Sequence, residues 1–252
     1  MSGMWTVMAL DLCEVRRKRL VLVLGLLAVL LVTLTALVGI VVGFDVGVSV
    51  ADLALRNIHQ IMVVLAVIQG AAALSEQSNL EGLVVRPIPR SAVVMGRFLA
   101  LLLLLAALVG ACAGVAVLAR GLAGGGLDGI AGTLRTAGVT LLNGLLAGVV
   151  AMALSLWLPW LAAAVVAWLT LSGAQVIFQL TVIGPILGFP AGVTAAARMI
   201  GFFLPHVTVA LDGGMLPAGT AMPGVGWQVA RTGAWVIGLI LLTGLRFRRR
   251  DL

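Results

Sequence analysis

Residues 75–97 have the sequence SEQSNLEGLVVRPIPRSAVVMGR, a polar segment between two apolar ones. Proline lacks the N–H that a helix interior needs, and it biases the preceding residue away from the α region. Pro87 and Pro89 therefore predict a helix up to about Val85, a rigid corner at residues 86–89 and a new helix from Arg90. The charged side chains of the segment are Glu76, Glu81, Arg86, Arg90 and Arg97.

Two interpretations of this segment are open. A basic cytoplasmic loop that only fixes topology explains the arginines. It does not explain a short amphipathic helix that ends in a hard corner, because a simple connection has no need to be stiff. The combination favours a segment that transmits force.

The composition around this segment predicts an all-α integral membrane protein. Of the 252 residues, 62% are hydrophobic and 10% are charged, and the mean hydropathy is +1.21. Soluble domains are nearer to about half apolar and about a quarter charged. The 32 glycines suit closely packed membrane helices. The net charge of +7 would suggest nucleic acid in a soluble protein, but here the charges stand at span ends and face lipid head groups.

The N-terminal segment, residues 1–19, predicts an amphipathic helix in the cytoplasmic membrane interface. Trp5, Met8, Leu12 and Val15 recur at helical spacing, and the charged residues lie off that stripe. The basic cluster follows apolar residues, which is the reverse of a secretory signal. The alternative is a frayed tail that ends in a stop-transfer charge cluster.

Apolar segments of membrane-crossing length predict six transmembrane helices within a single permease domain, residues 1–252. The uncharged run 136–197 is divided at Leu158-Pro159-Trp160, where proline and tryptophans indicate a tight interfacial turn. Residues 45–56 predict a short polar connection, and the glycine-rich residues 120–135 predict a flexible loop. The predicted spans are 20–44, 57–74, 98–119, 137–157, 161–183 and 227–245.

Before the last span, residues 184–206 are too short and too broken by prolines to cross twice. They predict short helices that dip halfway into the outer leaflet.

Lysine and arginine are distributed about two to one in favour of one side of these spans. This asymmetry predicts a multi-pass protein of the cell inner (cytoplasmic) membrane, with both termini and residues 75–97 in the cytoplasm. The inner set is Arg16, Arg17, Lys18, Arg19, Arg86, Arg90, Arg97, Arg246, Arg248, Arg249 and Arg250. The outer set is Arg56, Arg120, Arg135, Arg198 and Arg231.

The polar segment resembles the coupling helix of permease subunits in the type-2 class of ABC exporters. In that family the second and third spans are joined by a cytoplasmic helix with the pattern E…G…L…P-(I/V)-S-R…G-K. Here Glu76, Glu81-Gly82, Pro87-Ile88-Pro89-Arg90 and Gly96-Arg97 are similar, with Pro89 in place of serine and Arg97 in place of lysine. The interfacial helix, the six spans, the half-dipping outer helices and the terminal Phe-x-Arg-Arg-Asp-Leu also resemble that family.

The resemblance implies a pathway formed by two permeases, identical or homologous, and powered by two separate ABC ATPase subunits. ATP and Mg would be bound by the ATPase, and no cofactor is expected on this chain, which has no Gly-x-x-x-x-Gly-Lys-Ser/Thr loop. The glycines near Arg120 lack the lysine and the preceding strand of a phosphate loop. The expected ATPase-coupling residues are Glu76, Glu81, Arg86, Pro87, Pro89 and Arg90.

An apolar pathway favours a hydrophobic or amphipathic cargo, such as a drug, a lipid-like molecule or a peptide, because desolvating charge is costly. The haem exporter permeases of cytochrome c maturation, which have a comparable coupling loop, are an alternative. Membrane lipid is the other expected partner, and binding of nucleic acid is not expected.

The polar residues inside the predicted spans that we take as candidates are His59, Gln60, Gln69, Asn143, Gln175 and Gln179. Polar groups in a membrane interior are costly and are therefore functional candidates. They either join helices through hydrogen bonds or line a substrate pathway at the permease dimer interface.

Other chemistries are less well matched. Ser172-Gly173 and the later His206 suggest a rhomboid-like intramembrane serine protease, but Thr170 replaces the expected glycine and no motif supplies oxyanion donors. A secondary transporter would need internal repeats and midplane ionisable residues. Cys112 lies in a span and Cys13 in the interfacial helix, so neither a disulfide nor a metal pair is expected.

Overall fold

The computed structural model describes residues 2–17, 19–42, 44–75, 89–122, 127–183, 187–203 and 225–248. Within these residues the regular structure is entirely α-helical, as the composition predicts. The helices are α1 (Ser2–Arg17), α2 (Arg19–Val42), α3 (Phe44–Ser75), α4 (Arg90–Leu122), α5 (Leu127–Leu154), α6 (Trp160–Ile183), α7 (Ala191–Phe203) and α8 (Val225–Arg248).

Two predicted boundaries coincide with helix ends in the structure. The carbonyl of Pro89 accepts the amide of Ala92 at 2.8 Å, so α4 starts at Arg90, as the proline corner predicts. The turn predicted at Leu158-Pro159-Trp160 is also confirmed, since α5 ends at Leu154 and α6 starts at Trp160. Within that turn the Ser155 hydroxyl donates to the Met152 carbonyl at 2.8 Å, which satisfies a terminal acceptor of α5.

Two predicted connections differ from the structure. Residues 45–56 belong to α3, whose 32 residues begin at Phe44. The flexible loop predicted over residues 120–135 is wrong where the chain is described, because α4 continues to Leu122 and α5 begins at Leu127. Leu127, Ile130 and Leu134 recur at helical spacing, and this pattern outweighs the modest cost of the glycines between them.

Helix α5 is the centre of the bundle. It packs against α3, α4, α6 and α8. In the apolar 18-residue window within Ile130–Leu154, 78% of residues are buried, against 33% for the corresponding window of α4 and 17% for that of α8. A helix that is apolar all round is expected to be enclosed by others, and α5 is enclosed on nearly every side.

The closest helix contact lies between α3 and α5. A Cβ atom added to Gly70 would lie 2.9 Å from Gly148 Cα and 2.7 Å from its carbonyl carbon. A Cβ atom on Gly148 would lie 3.1 Å from the Ala66 carbonyl oxygen. Small residues allow helix backbones to approach in this way, so the two glycines set the distance between α3 and α5.

Three buried apolar clusters are stacked along the bundle. Cluster A includes Val7, Leu74, Val93, Val94, Met152, Leu156 and Phe247. Cluster B includes Ala66, Leu101, Leu105, Val149, Ala167 and Val236. Cluster C includes Ala28, Met62, Val109, Cys112 and Ala137. The sequence numbers rise from cluster C to cluster A along α3 and α5, rise from cluster B to cluster A along α8, and fall from cluster C to cluster A along α4. Helix α4 therefore runs opposite to the other three.

Three described helical stretches are long and apolar enough to cross a membrane: Arg90–Ala119, Ile130–Leu154 and Val229–Phe247. Shorter apolar stretches, including Gly25–Leu34, His59–Leu74 and Trp160–Ala174, lie on α2, α3 and α6. The protein is therefore a helical, membrane-embedded chain. The count of six spans and the depth of the outer helices stay predictions.

Candidate functional site

The predicted coupling residues are divided between described and undescribed parts of the chain. Glu76, Glu81, Arg86 and Pro87 lie outside the described residues. Pro89 is exposed, and Arg90 is half-buried at the first position of α4 and takes part in a polar interaction. The helix ends on either side of the segment, Leu74 of α3 and Val93 of α4, meet in cluster A.

Cluster A collects the ends of α3, α4, α5 and α8 and the middle of α1, at the end of the bundle where residues 75–97 begin and finish. Phe247 of α8 and Val7 of α1 are almost fully buried there. On the same side, the guanidinium of Arg246 lies 5.9 Å from the ring centre of Trp157, a cation–π contact between α8 and the turn after α5. The ends predicted to be cytoplasmic are therefore held together as one unit.

Helix α1 is packed directly against the first turns of α4. A Cβ atom on Gly96 would lie 2.8 Å from Val7 Cβ and 2.9 Å from the Met4 carbonyl oxygen. The helix predicted from the stripe of Trp5 is thus present, and its place in the membrane interface stays a prediction. The residue it buries most deeply is Val7, at 2% exposure, while Trp5 is 53% exposed. Gly96, which precedes Arg97 in the sequence, is therefore a point of close contact between α4 and α1.

Arg97 is the most deeply buried charged residue in the described part of the chain, at 4% exposure. Among the described residues its Nε atom has no hydrogen-bond partner. Arg97 lines a cavity of about 20 Å³ together with Asp11 of α1, Gln69 of α3 and Met152 of α5. The sequence placed Arg97 at the end of the coupling segment but gave no sign of this burial, because burial depends on α1 folding back over α4.

The predicted intramembrane polar residues do not form one group. Gln69 lines the Arg97 cavity. His59 is half-buried and Gln60 exposed about ten residues earlier on α3, which is roughly 15 Å along the helix. Asn143 is fully buried on α5 and has a polar interaction. Gln175 and Gln179 lie on α6, outside the residues whose side chains are described.

Hydroxyl groups in the helices are mostly satisfied within their own helix. Thr33 donates to the Val29 carbonyl at 2.8 Å, Thr170 to the Val166 carbonyl at 2.7 Å and Thr243 to the Leu239 carbonyl at 2.6 Å. Such bonds remove the cost of a polar group in lipid without joining helices. These three residues therefore need no role in a pathway.

The short helix α7 is held by contacts with α6 and with α8. It packs against α6, and the guanidinium of Arg231 on α8 donates through Nη2 to the carbonyl of Gly201 near the C-terminus of α7. Cations are favourable at a helix C-terminus, where carbonyls have no partner within the helix. Arg231 thus links the predicted outer helix to the last predicted span.

The described residues do not test the protease alternative. Ser172 is half-buried on α6, and His206 lies outside the described residues. Within the residues searched, no group of three or more His, Cys, Asp or Glu side chains is arranged to hold a metal ion. The Arg97 cavity beside cluster A is a polar site within the described residues.

Neither the scan against protein-family models nor the search of curated proteins finds a match to this chain.

Proposed function

We propose that this chain is the permease subunit of an ATP-driven exporter of the type-2 ABC class, which moves a hydrophobic or amphipathic substrate out of the cytoplasm. Two copies, or one copy and a homologue, would form the pathway, and two separate ATPase subunits would supply the energy. Residues 75–97 would dock on the ATPase, and both termini would lie on that side of the membrane.

One observation carries this proposal: both helices that flank residues 75–97 are anchored in cluster A. Leu74 lies one residue before the segment, and Val93 and Val94 lie within it, all at 5% exposure or less. A force applied to the segment would therefore reach α1, α3, α4, α5 and α8 together. Packed cores respond to such forces by rigid-body shifts between discrete arrangements.

The packing of α1 supports the same function. Gly96 leaves no room for a side chain between α4 and α1, so α1 would have to move with the start of α4. An interfacial helix that moves with the coupling segment would spread a local push over a wider area of the bundle. A loop that only set topology would need no such contact.

The test combines binding and transport with an ABC ATPase subunit that co-purifies with this chain. Glu81→Ala and Arg90→Ala each remove a charge that we expect at the ATPase interface, and truncating one partner of a buried charge pair costs about 2–5 kcal/mol. Both variants should capture less ATPase and lose transport in proteoliposomes. Arg198→Ala, which changes an exposed arginine on α7, is the matched control and should behave as the parent.

The Pro87→Ala, Pro89→Ala double variant separates docking from coupling. It keeps every charge but relaxes the corner, so it should still capture the ATPase while transporting less per ATP hydrolysed. If all of these variants capture the ATPase and transport as the parent does, residues 75–97 are a topogenic loop and the proposed function is wrong.

A further inference from the structure

The cavity beside Arg97 joins four helices at the cluster A end of the bundle. Its polar lining comes from Asp11 on α1, Gln69 on α3 and Arg97 on α4. Its apolar lining includes Ala73 and Met152. The cavity volume of about 20 Å³ exceeds the roughly 10–15 Å³ that a single water molecule needs. A phosphate, a lipid head group or a transported drug is far too large for it.

The chemistry of the lining also calls for a ligand. A guanidinium in a protein keeps all its protons, so Arg97 Nε always presents an N–H donor. That atom is buried and has no partner among the described residues. A buried donor without an acceptor is destabilising by an amount comparable to a lost hydrogen bond. Asp11 and Gln69 add acceptor oxygens, and Gln69 adds donors, around the same space.

We propose that this cavity is a binding site for one ordered water molecule, which accepts a hydrogen bond from Arg97 Nε–H and donates to the Asp11 carboxylate or the Gln69 side-chain oxygen. Buried waters typically make about three hydrogen bonds, and the Arg97, Asp11 and Gln69 side chains offer the donor and the acceptors for them. The water would connect α1, α3 and α4.

This site changes the role expected for Gln69. The sequence made it a candidate for a substrate pathway, but here it is a positioning residue that helps to hold the interfacial helix on α4. The inference does not rest on the proposed function, since a hydrated joint of this kind would exist in any protein with this fold.

A thermal-stability cycle tests the site. Ala73→Val adds two methyl groups to the cavity wall and should displace the water, so Arg97 Nε is left without an acceptor. In the purified full-length chain the variant should lower Tm by about 4 °C. In the Arg97→Met background no N–H remains, and the same Ala73→Val change should lower Tm by less than half as much. Ala116→Val in cluster C, which is far from the cavity, should have the same effect in both backgrounds.

A dry cavity gives the opposite pattern. Filling it would then leave Tm unchanged or raise it in the Arg97 background, and this result overturns the proposal. Equal losses in both backgrounds would show simple overpacking and would also overturn it.

A structure of the parent chain at about 2 Å resolution provides a second measurement, which stands even if Arg97→Met does not fold. The proposal expects a solvent peak at about 2.9 Å from Arg97 Nε. An empty cavity contradicts it. So does a peak that gains an anomalous signal after bromide replaces chloride, because that result assigns the site to a halide.

Discussion

The contact between Gly70 and Gly148 predicts a large effect from a single methyl group. In Gly70→Ala the new Cβ would lie 2.9 Å from Gly148 Cα and 2.7 Å from its carbonyl carbon, whereas carbon atoms attract best at about 3.5–4.0 Å. Because the opposing atoms are backbone, no side chain can rotate away. Helices α3 and α5 must therefore separate by about 0.7 Å or more along their contact.

The cost follows from that separation. A radial gap of about 0.5–1 Å forfeits a quarter to a half of the dispersion energy of each contact, and overpacked cores lose about 1–3 kcal/mol. Alanine regains up to about 1 kcal/mol of helix propensity. We expect the free energy of unfolding to fall by about 2 kcal/mol, which lowers Tm by roughly 4–8 °C in a chain of this size.

The protein's own cysteines provide the assay. Cys112 is buried and Cys13 is exposed, so in a Cys13→Ser background a thiol-reactive fluorogenic dye reports unfolding through Cys112 during a temperature ramp. Gly138→Ala on α5 is the matched control, because a Cβ there meets nothing within 4 Å. That control should keep or slightly raise Tm. Equal melting of Gly70→Ala and Gly138→Ala would refute the close contact and the central position of α5.

Three further outcomes are expected. Arg231→Met removes the hydrogen bond to the Gly201 carbonyl. It should lower Tm by about 1–4 °C and make α7 more sensitive to added protease. Unchanged proteolysis would argue against a link between α7 and α8. In the folded parent, a maleimide should label Cys13 and leave Cys112 unmodified until denaturant is added, because only the first is exposed. In a Cys13→Ser background, Ile88→Cys should react with a membrane-impermeant thiol reagent only from the cytoplasmic side, and labelling from outside alone would reverse the predicted topology.

Local signals in the sequence predicted much of the architecture. The stripe that contains Trp5 predicted α1, and the proline corner predicted the start of α4 at Arg90. The Pro159 turn separated α5 from α6 correctly. These features depend on neighbouring residues alone, such as a missing N–H or a helical period, so they can be identified without knowing what packs against them.

The features that depend on distant residues were not predictable. Nothing in the sequence near Gly70 indicates that Gly148 opposes it, because the pairing depends on how α3 and α5 lie side by side. From its position at a span end, Arg97 was assigned to the inner set of positive charges. Its burial depends on α1 covering it. The loop predicted at residues 120–135 was wrong because its glycines were interpreted as helix breakers, whereas the helical spacing of Leu127, Ile130 and Leu134 outweighs their cost.

Cluster A joins Val7 in the first described helix to Phe247 in the last one. During synthesis the chain is inserted from its N-terminus. The apolar surface formed by Val7, Leu74 and Val93 is therefore covered by Phe247 only after α8 has been made. A chain that stops before Phe247 leaves that apolar surface open, and cellular quality control recognises exposed surface of this kind. Chains that stop short of Phe247 should therefore be degraded rather than partly active.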